Sequence, residues 1–332
     1  MKKIIAIALL AFAAKSGAQP VELRMAFPAP PTSFVNTNSF TPWVKDVEAA
    51  ANGTITIRIV PGQTLATIDN VYDRTLKGVA DIGFGLQAAV AGQFNKTMVA
   101  ALPFEFESPK DSAPALWRLY QSGVIADEYK DLKVLALFTF GHAAIHTRTA
   151  RIKSLADIKG LKLRTGGKLQ GDIIAALGAA PISLSPPEIF QSLQTGVIDG
   201  AAVQWTAVLT FKLNEVAKNH FLMPLDSDPA FLIMNKASWD RLPTAAKAAL
   251  DKYSGEALSR RTGNAIAEFD NAAQERFRKE TGQNYDSVGP EEKARWQKQL
   301  QGINDGWVKS TPNGAAVLAA FRSELKKVAA GQ

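Results

Sequence analysis

Ser154–Gly200 reads SLADIKGLKLRTGGKLQGDIIAALGAAPISLSPPEIFQSLQTGVIDG, and its local signals decide the fold class. Ser154, with Asp157 three residues on and Gly160 after it, spells a one-turn capped helix. Leu161–Arg164 predicts a short strand, Thr165-Gly166-Gly167 a turn, and Lys168–Leu177 a helix stopped by Gly178. Pro181–Leu184 predicts another short strand. Ser185-Pro186-Pro187-Glu188 is a capping box with proline at the first helical position. That helix ends at Gly196, and Val197–Val203 continues as a strand. Strands alternating with helices in this way give α/β layering around a largely parallel sheet.

Working outward, the segment before this block repeats its logic. Val21, Leu23, Met25 and Phe27 alternate with Glu22, Arg24 and Ala26, a period-2 strand ending at Pro28-Ala29-Pro30-Pro31. Thr41-Pro42 opens a helix closed by Gly53, and Ile55, Ile57 and Ile59 form a strand stopped by Pro61-Gly62. A helix over about 68–77 ends at Gly78, and Val79–Phe84 is strand-like. Lys77-Gly78-Val79-Ala80-Asp81-Ile82-Gly83 echoes Thr195-Gly196-Val197-Ile198-Asp199-Gly200, each between helix and strand. Two lobes built alike would produce such an echo; helix-ending glycines recurring by chance would too.

After the block the character turns helical. From Leu242 no proline follows Pro243 until Pro290, and apolar residues recur at steps of three and four. The expectation is one helix of more than 30 residues, with Gly255 and Gly263 as kink points, long enough to brace two lobes. Glu291–Trp307 and Ala315–Val328 predict two further helices.

Composition narrows the function. The chain has 332 residues, of which 46% are hydrophobic and 21% charged, which suits two globular domains. Its 38 Lys and Arg exceed its 31 Asp and Glu by seven, but Lys2, Lys3 and Lys15 account for three of those. The remaining basic residues are dispersed, so no nucleic-acid partner is expected. The absence of cysteine excludes disulfides, thiolate metal sites and cysteine nucleophiles. Residues 1–18 have the grammar of a signal peptide: Lys2-Lys3, the apolar stretch Ile4–Ala14, then Ser16-Gly17-Ala18. That stretch is too short to span a bilayer core, which needs about 20 residues. An exported, periplasmic protein is expected.

Enzyme templates fail. The sequence contains no G-x-S-x-G elbow, phosphate-binding P-loop or H-E-x-x-H motif. His142 and His146 lie four apart beside a strand, where that spacing does not pair side chains as on a helix, so packing rather than a metal is read there. Thr165-Gly166-Gly167-Lys168 is read as a strand-to-helix turn rather than a phosphate cradle. The acids are scattered, and no carboxylate pair stands out. Neither cofactor nor metal is expected.

Ligands of open α/β sheets settle beyond the carboxyl ends of strands. Those ends carry Phe27, Phe84 with Leu86, Phe140 with His142, Arg164, and Val203-Gln204-Trp205. A mostly aromatic lining with one arginine suits a small amphipathic anion, because the planar guanidinium gives a carboxylate two parallel hydrogen bonds. A surface salt bridge for Arg164 and a core position for Trp205 are the competing readings.

Ser154–Arg164, Leu177–Pro181 and Glu188–Gly200, with Gly78–Gly83 and Leu102-Pro103-Phe104, resemble the signature segments of the DctP-type solute-binding proteins of TRAP transporters. The resemblance covers nearly the whole mature chain. It implies a two-lobed type II periplasmic binding fold, two strands crossing between lobes and a long helix bracing both. It also implies capture of an organic acid and delivery to a membrane permease of one small and one large subunit. Arg164 matches the arginine that grips the substrate carboxylate in the family. Val203 and Ala144 stand where sialic-acid members have asparagine and a second arginine, which argues against a heavily hydroxylated ligand. Gln204-Trp205 resembles a subgroup with Pro-Trp here, whose ligands include aromatic and short hydroxy or keto acids, although Thr206 replaces that subgroup's usual glutamate. The resulting expectation is a monomeric receptor for an organic monocarboxylate, with a sensory receptor or an exported hydrolase or lyase as alternatives. Lobe I is expected to take residues 19–140 and about 227–265, and lobe II 141–226 and about 266–332. The hinge is expected near Phe140-Gly141 and Asp226-Ser227.

Overall fold

The computed structural model describes residues 19–332; the expected signal peptide lies outside them. The strands in chain order are β1 (Val21–Phe27), β2 (Ile55–Pro61), β3 (Ile82–Leu86), β4 (Leu132–His142), β5 (Ala144–Thr147), β6 (Lys162–Thr165), β7 (Ala180–Ser183), β8 (Gly200–Val203), β9 (Asn219–Leu222), β10 (Ser227–Asn235) and β11 (Asn284–Ser287). The helices are α1 (Thr41–Ala50), α2 (Val71–Leu76), α3 (Pro109–Gln121), α4 (Lys168–Ala176), α5 (Ile189–Thr195), α6 (Trp205–Thr210), α7 (Lys236–Asp240), α8 (Thr244–Tyr253), α9 (Glu256–Lys279), α10 (Pro290–Ser310) and α11 (Gly314–Ala329).

These elements make a two-lobed α/β fold with one sheet per lobe. The first sheet runs β2-β1-β3-β10-β4 and the second β11-β9-β5-β8-β6-β7. In the first, β1 is parallel to β2 and β3, while β10 is antiparallel to β3 and β4. In the second, β6 is parallel to β7 and β8, and β5 is antiparallel to β8 and β9. Both faces of the first sheet are covered. Leu23, Met25 and Phe27 point into one apolar cluster, and Ala26 into another. A mostly parallel strand buried on both sides explains that apolar content.

The chain crosses between sheets twice in this region, from β4 to β5 and from β9 to β10. The crossings lie side by side: Ala143 N–H donates to Asp226 O at 2.9 Å, and Ser227 Oγ to Phe140 O at 2.8 Å. The bracing helix is α9, which packs on α3, β4 and the π-helical turn Asn36–Phe40 on one side, and on α6 and β11 on the other. The single long helix expected from Leu242 is two helices. Gly255 takes φ +68°, its N–H donates to Leu135 O at 2.6 Å, and the chain turns there. Gly263 does not kink α9. A Cβ there would lie 2.4 Å from Pro109 O, so this glycine allows α9 to approach α3 closely.

The C-terminal part departs from the expected lobe assignment. Trp296 and Leu300 of α10 pack in a second-lobe cluster, but Trp307 and the α11 stripe Val317, Leu318 and Phe321 pack with Leu116 and Leu119 of α3. Arg322 fixes this docking with two 2.7 Å hydrogen bonds to Glu105. An apolar stripe goes where a complementary one is exposed, and α3 offers it. Several expected strands also start late. Residues 79–81 and 197–199 are turns rather than strand, because Asp81 and Asp199 both use their carboxylates on a neighbouring strand. Arg24 N–H donates to Asp81 Oδ2 and Lys162 N–H to Asp199 Oδ2, each at 2.8 Å. Asp81 N–H and Asp199 N–H return the bond to Arg24 O and Lys162 O. The sequence echo is therefore one turn built twice, once in each lobe.

Candidate functional site

The carboxyl ends of β1, β3, β6 and β8 face one another across the cleft. Between them lies a cavity of about 100 Å³, lined by residues of both lobes. Of the residues expected at the site, Phe27, Phe84, Leu86, Phe140, Arg164, Val203 and Gln204 line it. The first lobe contributes phenyl rings and aliphatic side chains. Phe27 and Phe84 stack at 5.1 Å, with Phe40 edge-on to both from behind. Phe34 and Phe211, from opposite lobes, add rings the sequence reading did not place there.

Arg164 is the one cation among the lining residues. It is 4% exposed, and its only hydrogen bond among the described residues runs from Nε to Leu184 O at 2.9 Å. Among the described residues no carboxylate comes within ion-pairing distance, so both terminal nitrogens are open to a ligand. Burial pulls its pKa down and the fields of Asp228, Asp226 and Glu188 pull it back up; a guanidinium stays charged under such opposed influences. A charged fork with two unused donors in a mostly apolar cleft is arranged to accept a carboxylate.

Two expected residues lie elsewhere. Trp205, 1% exposed, stacks on Phe277 at 5.1 Å and meets His146 edge-on at 4.8 Å. It is the first residue of α6, and its ring turns away from the cleft into the second-lobe core. His142 stacks on Phe106 at 4.5 Å, and its ring nitrogens lie 2.9 Å from Phe106 O and 3.3 Å from Asp226 O. Burial lowers its pKa. It belongs to the crossing between lobes rather than to the cavity wall. His146 pairs not with His142 but with His220, Nδ1 to Nδ1 at 2.7 Å, behind the Val203 carbonyl that its Nε2 approaches at 3.2 Å. Burial, then the neighbouring His220, holds its pKa well below the usual histidine range.

A carboxylate pair is present where none stood out in the sequence. Asp226 and Asp228 flank Ser227 at the start of β10, and Asp228 lines the cavity with Arg164. The pairing of β10 with β4 slips between Ser227 and Pro229, and Asp228 sits at this irregularity. Asp226 accepts from Gln170 Nε2 at 2.9 and 3.2 Å; burial, then the charge of Asp228, raises its pKa well above the usual range. Asp228 is also raised by burial, against the pull of Arg164 and the Gln204 amide. Gln204 Nε2 comes close enough to favour the Asp228 charge without aligning into a full hydrogen bond, and it remains unpartnered. The available signal was Asp-Ser-Asp-Pro immediately before the apolar run Ala230–Met234, at a strand entrance.

Comparison with known proteins places this architecture. The family described as bacterial extracellular solute-binding protein, family 7, matches residues 28–310. A solute-binding protein of Chromohalobacter salexigens is 25% identical over 289 residues, covering 85% of this chain and 83% of that one. A marine-metagenome TRAP solute-binding protein specific for aromatic acids, solved with 3-hydroxybenzoate, superposes with a TM-score of 0.88 at 29% identity, covering 93% of this chain and 99% of that one. A Bordetella bronchiseptica TRAP protein with bound (R)- and (S)-mandelate gives 0.86 at 28% identity, covering 93% and 100%. With a family match across most of its length and a two-lobed fold shared with these proteins, the chain belongs to the family 7 extracellular solute-binding proteins, the solute receptors of TRAP transporters.

Proposed function

We propose that this protein captures an organic monocarboxylate with an aromatic body in its interlobe cleft. It then presents the ligand, chemically unchanged, to the small and large subunits of a TRAP permease. The carrying observation is Arg164, buried with two unused donors and alone as a cation in a cavity walled by Phe27, Phe34, Phe84, Phe140 and Phe211. One cation suits one carboxylate; a dicarboxylate would leave its second charge among phenyl rings, at a desolvation cost of several kcal/mol. Aromatic acids in relatives at 28–29% identity support the same reading. A periplasmic, monomeric receptor fits the family and the signal-like N-terminus. Among the described residues no helix is long and apolar enough to cross a membrane.

Ligand contacts divide between lobes, with Phe27, Phe84 and Leu86 on one side and Arg164, Val203 and Gln204 on the other. A ligand touching both walls favours closure by its differential affinity for the closed state. The paired crossings at Phe140-Gly141 and Asp226-Ser227 would serve as the hinge. A thermal-shift series with benzoate, 3-hydroxybenzoate, mandelate and succinate tests the reading, since a ligand that binds only the folded form raises the melting temperature. The aromatic monoacids should raise it and succinate should not; no response to any monocarboxylate would refute the assignment.

A further inference from the structure

Resting on that reading, we infer that Asp228 tunes selection within it, favouring acids with a hydroxyl on the carbon next to the carboxylate over analogues without one. Asp228 and Arg164 line the same cavity and each feels the other's charge, without a hydrogen bond between them among the described residues. Its backbone lies at the slipped pairing of β10, where Pro229 follows. Its neighbour Asp226 is occupied by Gln170, whereas among the described residues Asp228 accepts no fully formed side-chain hydrogen bond. Beside it, Gln204 Nε2 is buried and unpartnered.

Once Arg164 holds the ligand's acid group, the cavity contains two carboxyl groups and one guanidinium. Two carboxylates sharing a dry site repel unless a proton lies between them. A 2-hydroxy acid brings that proton itself: its O–H donates to the Asp228 carboxylate, and its oxygen can accept from the Gln204 amide. A 2-keto acid points lone pairs at Asp228. An acid with only hydrogen at that carbon leaves Asp228 and Gln204 unsatisfied as closure removes water. Sites built around a ligand hydroxyl reject analogues that lack it, because buried polar groups are left unpaired.

The experiment is calorimetric titration of the intact protein with mandelate, phenylglyoxylate and phenylacetate, which share a carbon skeleton and differ only at that carbon. Wild type should bind mandelate at least about tenfold more tightly than the other two, the scale of one good hydrogen bond. Asp228→Ala should bring the three acids within about twofold of each other, and Asp228→Asn, whose amide can donate, should recover phenylglyoxylate selectively. Thermal melts check that each variant is folded. Equal wild-type affinities, or a mandelate preference that survives Asp228→Ala, would overturn this inference and leave the carboxylate reading intact. Failure of all three acids to bind wild type would overturn this inference, and failure of benzoate and 3-hydroxybenzoate as well would overturn the carboxylate reading.

Discussion

The turns Gly78–Asp81 and Gly196–Asp199 are built alike, one in each lobe, but they are embedded differently. Asp81 is 5% exposed. Besides accepting from Arg24 N–H, it accepts from Ser238 Oγ and from Arg241 Nη2, each at 2.7 Å. These bonds and the Arg241 charge hold its pKa below the usual range despite burial. Asp199 makes its backbone exchange with Lys162 and no comparable side-chain network. The cleft walls differ in the same sense. First-lobe rings satisfy one another, whereas the second lobe presents Arg164 and Gln204 with donors unused. A repeated local motif thus fixes how strands are entered, and what surrounds it decides whether a lobe supplies shape or polarity.

The most severe way to break that division is Arg164→Ala. It should cost ligand binding about 2–5 kcal/mol, because a desolvated charge partner is lost. Melting of the free protein should be unchanged or raised, since the guanidinium has only Leu184 O to stabilise it. Paired calorimetry and thermal melts read both effects, and wild-type affinity in the variant would refute the role. Trp205 should behave oppositely: Trp205→Ala removes a ring stacked on Phe277 and should destabilise folding by about 3–5 kcal/mol. Trp205→Phe, checked by urea unfolding, should recover part of that while leaving ligand affinity near wild type.

Asp270 tests the bracing helix. Its carboxyl is pressed against Gly141, where an added Cβ would lie 1.7 Å from Oδ2; its Oδ1 has no partner, and burial pushes its pKa up to about 8. In the unfolded chain the group ionises near pH 4. Between about pH 4 and 8 the folded state therefore binds the extra proton, and stability declines as pH rises through that window. Asp270→Asn should flatten the slope and stabilise the protein at pH 7 by up to about 4 kcal/mol; urea midpoints at pH 5, 7 and 8.5 measure it. The smallest contrast sharpens the comparison of turns. Asp81→Ala should cost about 2–3 kcal/mol, for the loss of a buried, charge-assisted network, and Asp199→Ala about 1 kcal/mol. Equal costs would show that the turn itself, not its surroundings, carries the energy.

Most of the architecture was legible because its signals are local. The capping boxes at Ser154 and Ser185 both form, with Asp157 and Glu188 closing them, and β1 spans the predicted residues. Arg164 was singled out by its place at the carboxyl end of a strand together with the family resemblance, and the structure puts it in the cavity wall. Trp205 and His142 were misplaced because adjacency to a strand end does not say which way a ring turns. Trp205 begins a helix that rotates it into the core, and His142 is claimed by two carbonyls at the crossing. Asp228 was missed because a slip in strand pairing exists only when both strands are present.

The order of strands and helices, their caps, and the position of one arginine at a strand end were written in the sequence, because each depends on neighbours a few residues apart. Tertiary structure alone decided that α11 docks on the first lobe, that Gly263 serves a helix contact, and that Asp228 faces Arg164. Those outcomes depend on which surfaces meet after segments far apart in the chain have packed.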